Sequence, residues 1–322
     1  MSNFQVYKKT FLFSLVYFGV GLVSLAIVVG FATGGFFIFN SATDRALIGM
    51  FVGLLIGIAI AVAIDYLVLN RIKAAQIGMI AIGVADDKLP EHTFKEGFKL
   101  VKGRFAKLTL FFMIMRAIKG IFNQIGRGVN SAATAVAGQA GDVVSSTINS
   151  AVQTVISYLC DCCLGWVMYN KDTNMAKAAC EGAVIFFKHG KTLIRNIGRI
   201  FGMGIASFIL IGGSIFGILF AIFYNLPGMF IALANEITEF FIRIEADVPE
   251  FLTNPMLFAA IAAAIIAIVL WSMIHSVTGH PFILVGVLRN FMASGLKDRP
   301  TEQDFATLDS KSPKFAKLHK SI

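Results

Sequence analysis

Charge is what this chain has least of. Only 15% of its 322 residues are Asp, Glu, Lys or Arg, against 57% hydrophobic residues and a mean hydropathy of +0.76. Soluble domains carry about 25% charged and about 45–50% apolar residues, so a water-soluble domain is excluded. Cysteine is scarce too: 4 residues cannot build a secreted disulfide scaffold. Proline, at 7 residues, is too rare for a disordered or linker-rich chain. No phosphate loop, Gly-x-Ser-x-Gly, His-Glu-x-x-His or dinucleotide fingerprint occurs. No enzyme, cofactor or metal is expected from such a sequence.

Long apolar runs are what it does have. A membrane-spanning helix needs about 20 apolar residues. Residues 11–39 carry no charge, 46–70 carry only Asp65, and 200–235 and 251–288 carry no Asp, Glu, Lys or Arg. A third span beginning near Leu108 and a fourth ending near Tyr169 bring the expected total to six. The reading is all-α: a polytopic integral membrane protein of three helical hairpins, each followed by a cytoplasmic basic amphipathic segment. Its domains are 1–107, 108–199 and 200–322. The stretch before Phe11 resembles a signal-peptide start, but the run behind it is too long for one, so a retained span is expected.

The sign of the charge sets the orientation. Lys and Arg number 28 against 19 Asp and Glu, a net charge of +9. Segments 1–10, 71–107, 171–199 and 289–322 hold 23 of the basic residues and 10 of the acids. Residues 236–250 hold five acids and one Arg. Basic loops stay on the cytoplasmic side, so both termini are expected there, in a plasma or bacterial inner membrane. The basic segments suit anionic headgroups. They lack the aromatic interleaving of a nucleic-acid surface, so no nucleic-acid partner is expected.

Parts of the chain repeat. Gly83-Val-Ala-Asp86, Pro90, Phe94 and Arg104-Phe-Ala-Lys-Leu108 match Gly295-Leu-Lys-Asp298, Pro300, Phe305 and Lys314-Phe-Ala-Lys-Leu318 in order and spacing. A shorter echo runs from Glu181-Gly182 to Leu193. Duplicated hairpins are common in transporters.

Residues 126–157 lack Pro and carry small residues at helical three- and four-residue steps. Ser131, Thr134, Gln139, Ser145, Asn149 and Gln153 make this stretch too polar for lipid on every side. It reads as a helix that lines a pore, seams a homo-oligomer, or lies against the bundle. Gly30-x3-Gly34, Gly53-x3-Gly57 and Gly213-x3-Gly217 are further close-packing signals.

Charges within apolar runs are costly and mark functional candidates. Asp65, Asp161 and His275 are the three to suspect, as a cation-binding or proton-relaying cluster; the alternative is snorkelling toward Arg71, Lys73 or Lys171. Cys160-Asp-Cys162-Cys163 lacks zinc-ligand spacing and reads as small apolar helix residues.

The stretch Cys162-Cys163-Leu-Gly-Trp166, Asn170-Lys-Asp-Thr-Asn-Met175 and Leu193-Ile-Arg-Asn-Ile-Gly-Arg-Ile200 resembles the C-terminal half of choline transporter-like proteins. The resemblance covers residues 160–200 and implies transport. The chain is shorter than those proteins and lacks their large extracellular domain. The resulting expectation is a transporter- or channel-like protein for a small polar or cationic solute. The alternative is a non-transporting scaffold or assembly subunit that engages lipid or a protein complex through a basic inner face.

Overall fold

The computed structural model describes residues 1–43, 46–104, 116–121, 123–124, 141–194, 202, 204–244, 247–249 and 254–320. Among these the chain is helical, with no strand. Helix α1 runs Asn3–Thr43 and α2 runs Ala46–Ile64. A wide π turn, Asp65–Leu69, joins α2 to α3, Asn70–Ala85. Then follow α4 (Thr93–Arg104), α5 (Gly141–Tyr169) and α6 (Met175–Ile194). A second π turn, Phe208–Gly212, leads into α7 (Gly213–Tyr224), and α8 (Pro227–Arg243) comes next. The last helices are α9 (Pro255–Val277), α10 (Gly279–Lys297), α11 (Glu302–Lys311) and α12 (Pro313–His319).

Four stretches are long and apolar enough to cross a membrane: Asn3–Ser41, Ala46–Ala85, Gly204–Tyr224 and Pro255–Lys297. These are the four charge-poor runs of the sequence, and they mark an integral membrane protein. The two middle spans expected between 108 and 169 are not among them. Residues 105–115, where the first of these would begin, lie outside the described residues. The second would end within α5, whose apolar part, Ile156–Tyr169, is short and largely buried by protein.

Three of the four stretches hold 39, 40 and 43 residues. At 1.5 Å per residue each measures about 60 Å, twice a hydrocarbon core of about 30 Å. The chain divides into two compact units accordingly. Unit 1 is Met1–Ser14, Arg71–Gly202 and His280–Ile322; unit 2 is Leu15–Asn70 and Met203–Gly279. These units cut across the consecutive segments 1–107, 108–199 and 200–322.

Unit 2 holds the apolar halves of the helices. Its α1–α2 pair closes through glycine. A Cβ at Gly49 would strike the Gly35 carbonyl, one at Gly53 the Phe31 carbonyl, and one at Gly57 would lie 2.8 Å from Val28 Cα. On α9, Ala259, Ala263 and Ala267 form a buried stripe at four-residue steps. Trp271 Nε1 donates to Ser207 Oγ at 3.1 Å, and its ring packs edge-on against Phe208. Gly30, Gly34, Gly213 and Gly217 have open space where a Cβ would go. Of the three Gly-x3-Gly motifs, only 53/57 sits in a helix contact here. Gly53→Val is therefore expected to force the α1 and α2 backbones apart and cost about 2–3 kcal/mol by overpacking. Gly34→Val meets no neighbour within the chain and should cost less in the same mixed-micelle unfolding, which makes the pair an internal comparison.

The third apolar run ends at Asn225-Leu-Pro-Gly228, the exit that its sequence suggests. Asn225 and Leu226 break the helix, and Pro227 at the first turn starts α8. Glu236 and Glu239, read as part of an acidic loop, belong to that helix.

Unit 1 has a protein-like core. Trp166, Leu164 and Met168 of α5 are buried with Ile77, Met79 and Ile80 of α3 and Phe291 of α10. Close approach again needs glycine. A Cβ at Gly165 would lie 2.9 Å from Leu288, and one at Gly295 would lie 2.7 Å from Trp166. Helix α4 buries Thr93, Gly97 and Val101 and exposes Lys95, Lys99 and Lys102. Thr301 opens α11 with a capping box to Asp304, and Ser312 caps α12.

Candidate functional site

Asp161 is the one buried charged residue among the described side chains. It sits on α5 within unit 1, where Lys73 of α3 and His280 of α10 converge on it. Lys73 Nζ lies 3.0 Å from Oδ1, and His280 Nε2 lies 3.3 Å from Oδ2. The second contact is close enough for an ion pair, yet Oδ2 receives no well-directed hydrogen bond. The Tyr158 ring stacks on His280 at 4.6 Å and 19°, fixing the imidazole from the side.

Burial pushes the Asp161 carboxyl up, but Lys73 and His280 more than offset this and hold it below the usual carboxylate range. Asp161 is therefore an anion at neutral pH. Burial, with Asp161 beside it, pushes the Cys160 thiol up to about 12. Cys180 rises to about 12 through burial and the nearby Asp309 and Glu181 carboxylates. All four cysteines are free and buried, and such thiols are poor nucleophiles.

Asp161 is thus one of the expected cluster that is enclosed. The other two lie elsewhere: Asp65 and His275 are in unit 2. Asp65 is exposed and opens the first π turn, where its backbone carbonyl accepts from Asn70 Nδ2 at 3.1 Å. His275 stacks on Trp271. The ion-pair partners of Asp161 are Lys73 and His280, which lie 88 residues before it and 119 after it in the sequence. Sequence reading named Lys73 only as a partner for Asp65 and missed His280. Its place inside the uncharged run 251–288 was the available signal.

Of the small-residue stretch, Ser131, Thr134 and Gln139 lie outside the described residues. Ser145 and Asn149 fall in α5, and Gln153 is exposed on that helix.

A second polar construction ends α5. Helices finish with carbonyls that lack partners, and here one guanidinium collects them. Arg104 of α4 donates from Nε to the Val167 carbonyl at 3.1 Å and from Nη1 to Lys171 at 2.8 Å. Its Nη2 donates to Asn170 at 2.8 Å and to Thr173 at 2.6 Å. A cation at a helix C-terminus also complements the macrodipole. Trp166 Nε1 donates to Glu181 Oε2 at 2.9 Å, and Tyr169 Oη donates to Asp86 Oδ1 at 2.8 Å.

Elsewhere in unit 1, Lys188 Nζ bridges Asp298 at 2.8 Å and Asp304 at 3.2 Å. His319 pairs with Asp309 at 2.8 Å and stacks on Phe305. Among the described residues, no group of three His, Cys, Asp or Glu could hold a metal ion. Comparison of the chain with protein families, curated proteins and solved structures finds no match.

Proposed function

We propose that the chain is a four-span membrane scaffold or assembly subunit whose unit 1 engages anionic lipid or a protein complex at the cytoplasmic face. The packing of unit 2 carries this reading. Its helices meet through Gly35, Gly49, Gly53, Ala259 and Ala263, while large apolar side chains such as Leu55, Ile209, Ile218 and Ile265 face outward. The buried charge that a transport path would use is Asp161, and it is paired with Lys73 and His280 within unit 1.

Charge supports the orientation. The four basic segments of the sequence fall almost wholly in unit 1, and the acidic residues 236–247 fall in unit 2. With four spans, Met1–Ser14, Arg71–Gly202 and His280–Ile322 all lie on one side, the cytoplasmic side by the positive-inside rule. Six spans would require 108–169 to cross twice and return to the same side. A turn and a short helix follow Ala85, as they follow Lys297, which supports a duplicated element. The membrane is a plasma or bacterial inner membrane, and the open Gly30/Gly34 and Gly213/Gly217 faces suit a homo-oligomer.

Transport of a small polar or cationic solute is the second reading. It is favoured by the buried charge cluster of Asp161, Lys73 and His280 and by the choline transporter-like resemblance at 160–200. Proteoliposomes of the full chain separate the two. A scaffold gives proton flux and choline uptake equal to protein-free vesicles. Uptake above that background, removed by Asp161→Asn, overturns the scaffold reading.

A further inference from the structure

Unit 1 contains a half-open groove of about 720 Å³ bordered by α3, Pro90, α4 and the turn after α5. Small-molecule sites occupy roughly 300–1,000 Å³. Met79, Ile82, Leu100 and Met175 supply its apolar lining. Methionine packs against flexible chains without demanding one shape. Gly103 is exposed at the same groove, with nothing within 4 Å of the place a Cβ would take, so a ligand can approach the α4 backbone there.

The polar lining is mostly cationic: Lys99, Lys171 and Arg104 against Glu96. Lys99 and Glu96 pair at 3.7 Å and largely cancel. Lys171 and Arg104 remain. Arg104 is held rigid by its four bonds, and every acceptor is a neutral carbonyl. No carboxylate among the described residues lies within ion-pair distance of its guanidinium; the Asp172 carboxylate acts on it from farther away. One N–H of Nη1 stays uncommitted. A fixed cation beside an apolar trough matches a ligand with an anionic head and an apolar tail.

We infer that this groove binds an anionic amphiphile, with its carboxylate or phosphate head at Arg104 and Lys171 and its acyl tail along Ile82, Leu100 and Met175. The inference rests on the reading that unit 1 engages anionic lipid, and it names the site and the chemistry. The head chemistry is shared by a free fatty acid or lysophospholipid and by a bilayer phospholipid.

The test uses the full chain in a neutral detergent with lysophosphatidic acid as the probe, and native mass spectrometry to count bound molecules. One molecule per chain is expected, held at least tenfold more tightly than zwitterionic lysophosphatidylcholine. Gly103→Phe puts a ring at the groove from a position where an added Cβ meets no neighbour, and Lys171→Glu reverses a lining charge; each should weaken binding at least tenfold. Equal affinity for the two lysolipids, or unchanged binding in Gly103→Phe, overturns the site. So does inorganic phosphate competing as strongly as the lysolipid, because the tail then contributes nothing. Competition from phosphatidylglycerol in nanodiscs supports the site with the bilayer as source. Retained lysophosphatidic acid binding without that competition supports it with a free amphiphile as source.

Limited proteolysis of unit 1 in phosphatidylglycerol and phosphatidylcholine nanodiscs reads surface engagement separately. Protection by the anionic lipid without lysolipid binding sinks the groove and leaves the scaffold reading standing. Loss of both sinks both.

Discussion

Lys73→Met is expected to destabilise unit 1 by about 3 kcal/mol, the lower end of the range for breaking a buried ion pair. The asymmetry of the pair makes this specific. Asp161 is 2% exposed and cannot reach water, whereas Lys73 is 36% exposed and can. Removing the lysine leaves a buried carboxylate with His280 as its remaining partner. Removing the carboxylate leaves an ammonium that can turn to solvent, so Asp161→Asn should cost less, about 1–2 kcal/mol. The order of the two variants matters more than either value.

The pH dependence has a definite sign. The folded-state value of Asp161 lies below its unfolded value of about 4. Its contribution is therefore present above about pH 4 and lost as pH falls through the folded value. In Lys73→Met the main opposing charge is gone and burial dominates, so the carboxyl rises. The variant then takes up a proton at a higher pH than the wild type, and the stability gap between them narrows as pH falls. Equilibrium unfolding in mixed micelles at pH 7 and pH 5 reads both effects. A gap that widens on acidification contradicts the assignment.

Trp166→Ala should cost about 4 kcal/mol, within the range for deleting a buried aromatic side chain. The Trp166 ring is 1% exposed and stands edge-on to Phe291 at 6.4 Å. It also fills the space left bare by Gly295, and its indole N–H is the donor to Glu181. Trp166→Phe keeps most of the volume and loses the donor, so a cost of about 1–2 kcal/mol separates packing from hydrogen bonding. The same micelle unfolding assay measures both. A Trp166→Ala loss below that of Trp166→Phe would contradict this role in the core.

Much of this was legible before any coordinates. The uncharged runs from Phe11, Ala46 and Met256 marked spans because a charge in lipid is expensive and its absence over 20 residues is rarely accidental. Where those helices end was not legible. Arg71 and Arg289 look like interface markers, yet α3 and α10 run through them as helix, because Ile72, Ile77 and Leu288 are buried against protein. Hydropathy cannot tell a lipid neighbour from a protein one. For that reason Ile156–Tyr169 read as half a span while its Leu164, Val167 and Met168 are core. The three Gly-x3-Gly motifs were equal in sequence, and only tertiary packing distinguishes 53/57. Asp161 stood out as a misplaced charge. Its partners did not, because pairings across such long separations leave no periodic trace.

The claim that most needs testing is that α5 crosses no membrane and lies with the rest of unit 1 on one side. The four buried thiols give a quiet background for labelling. Gln153 and Lys171 are exposed on and just after α5, and Glu239 is exposed in unit 2. Single cysteines at these positions, in sealed vesicles of known orientation, should react with a membrane-impermeant maleimide as two groups. Gln153→Cys and Lys171→Cys should label from one side at comparable rates, and Glu239→Cys from the other. Gln153→Cys that stays unlabelled, or that labels from the side of Glu239→Cys, would place α5 within the bilayer and contradict the four-span architecture.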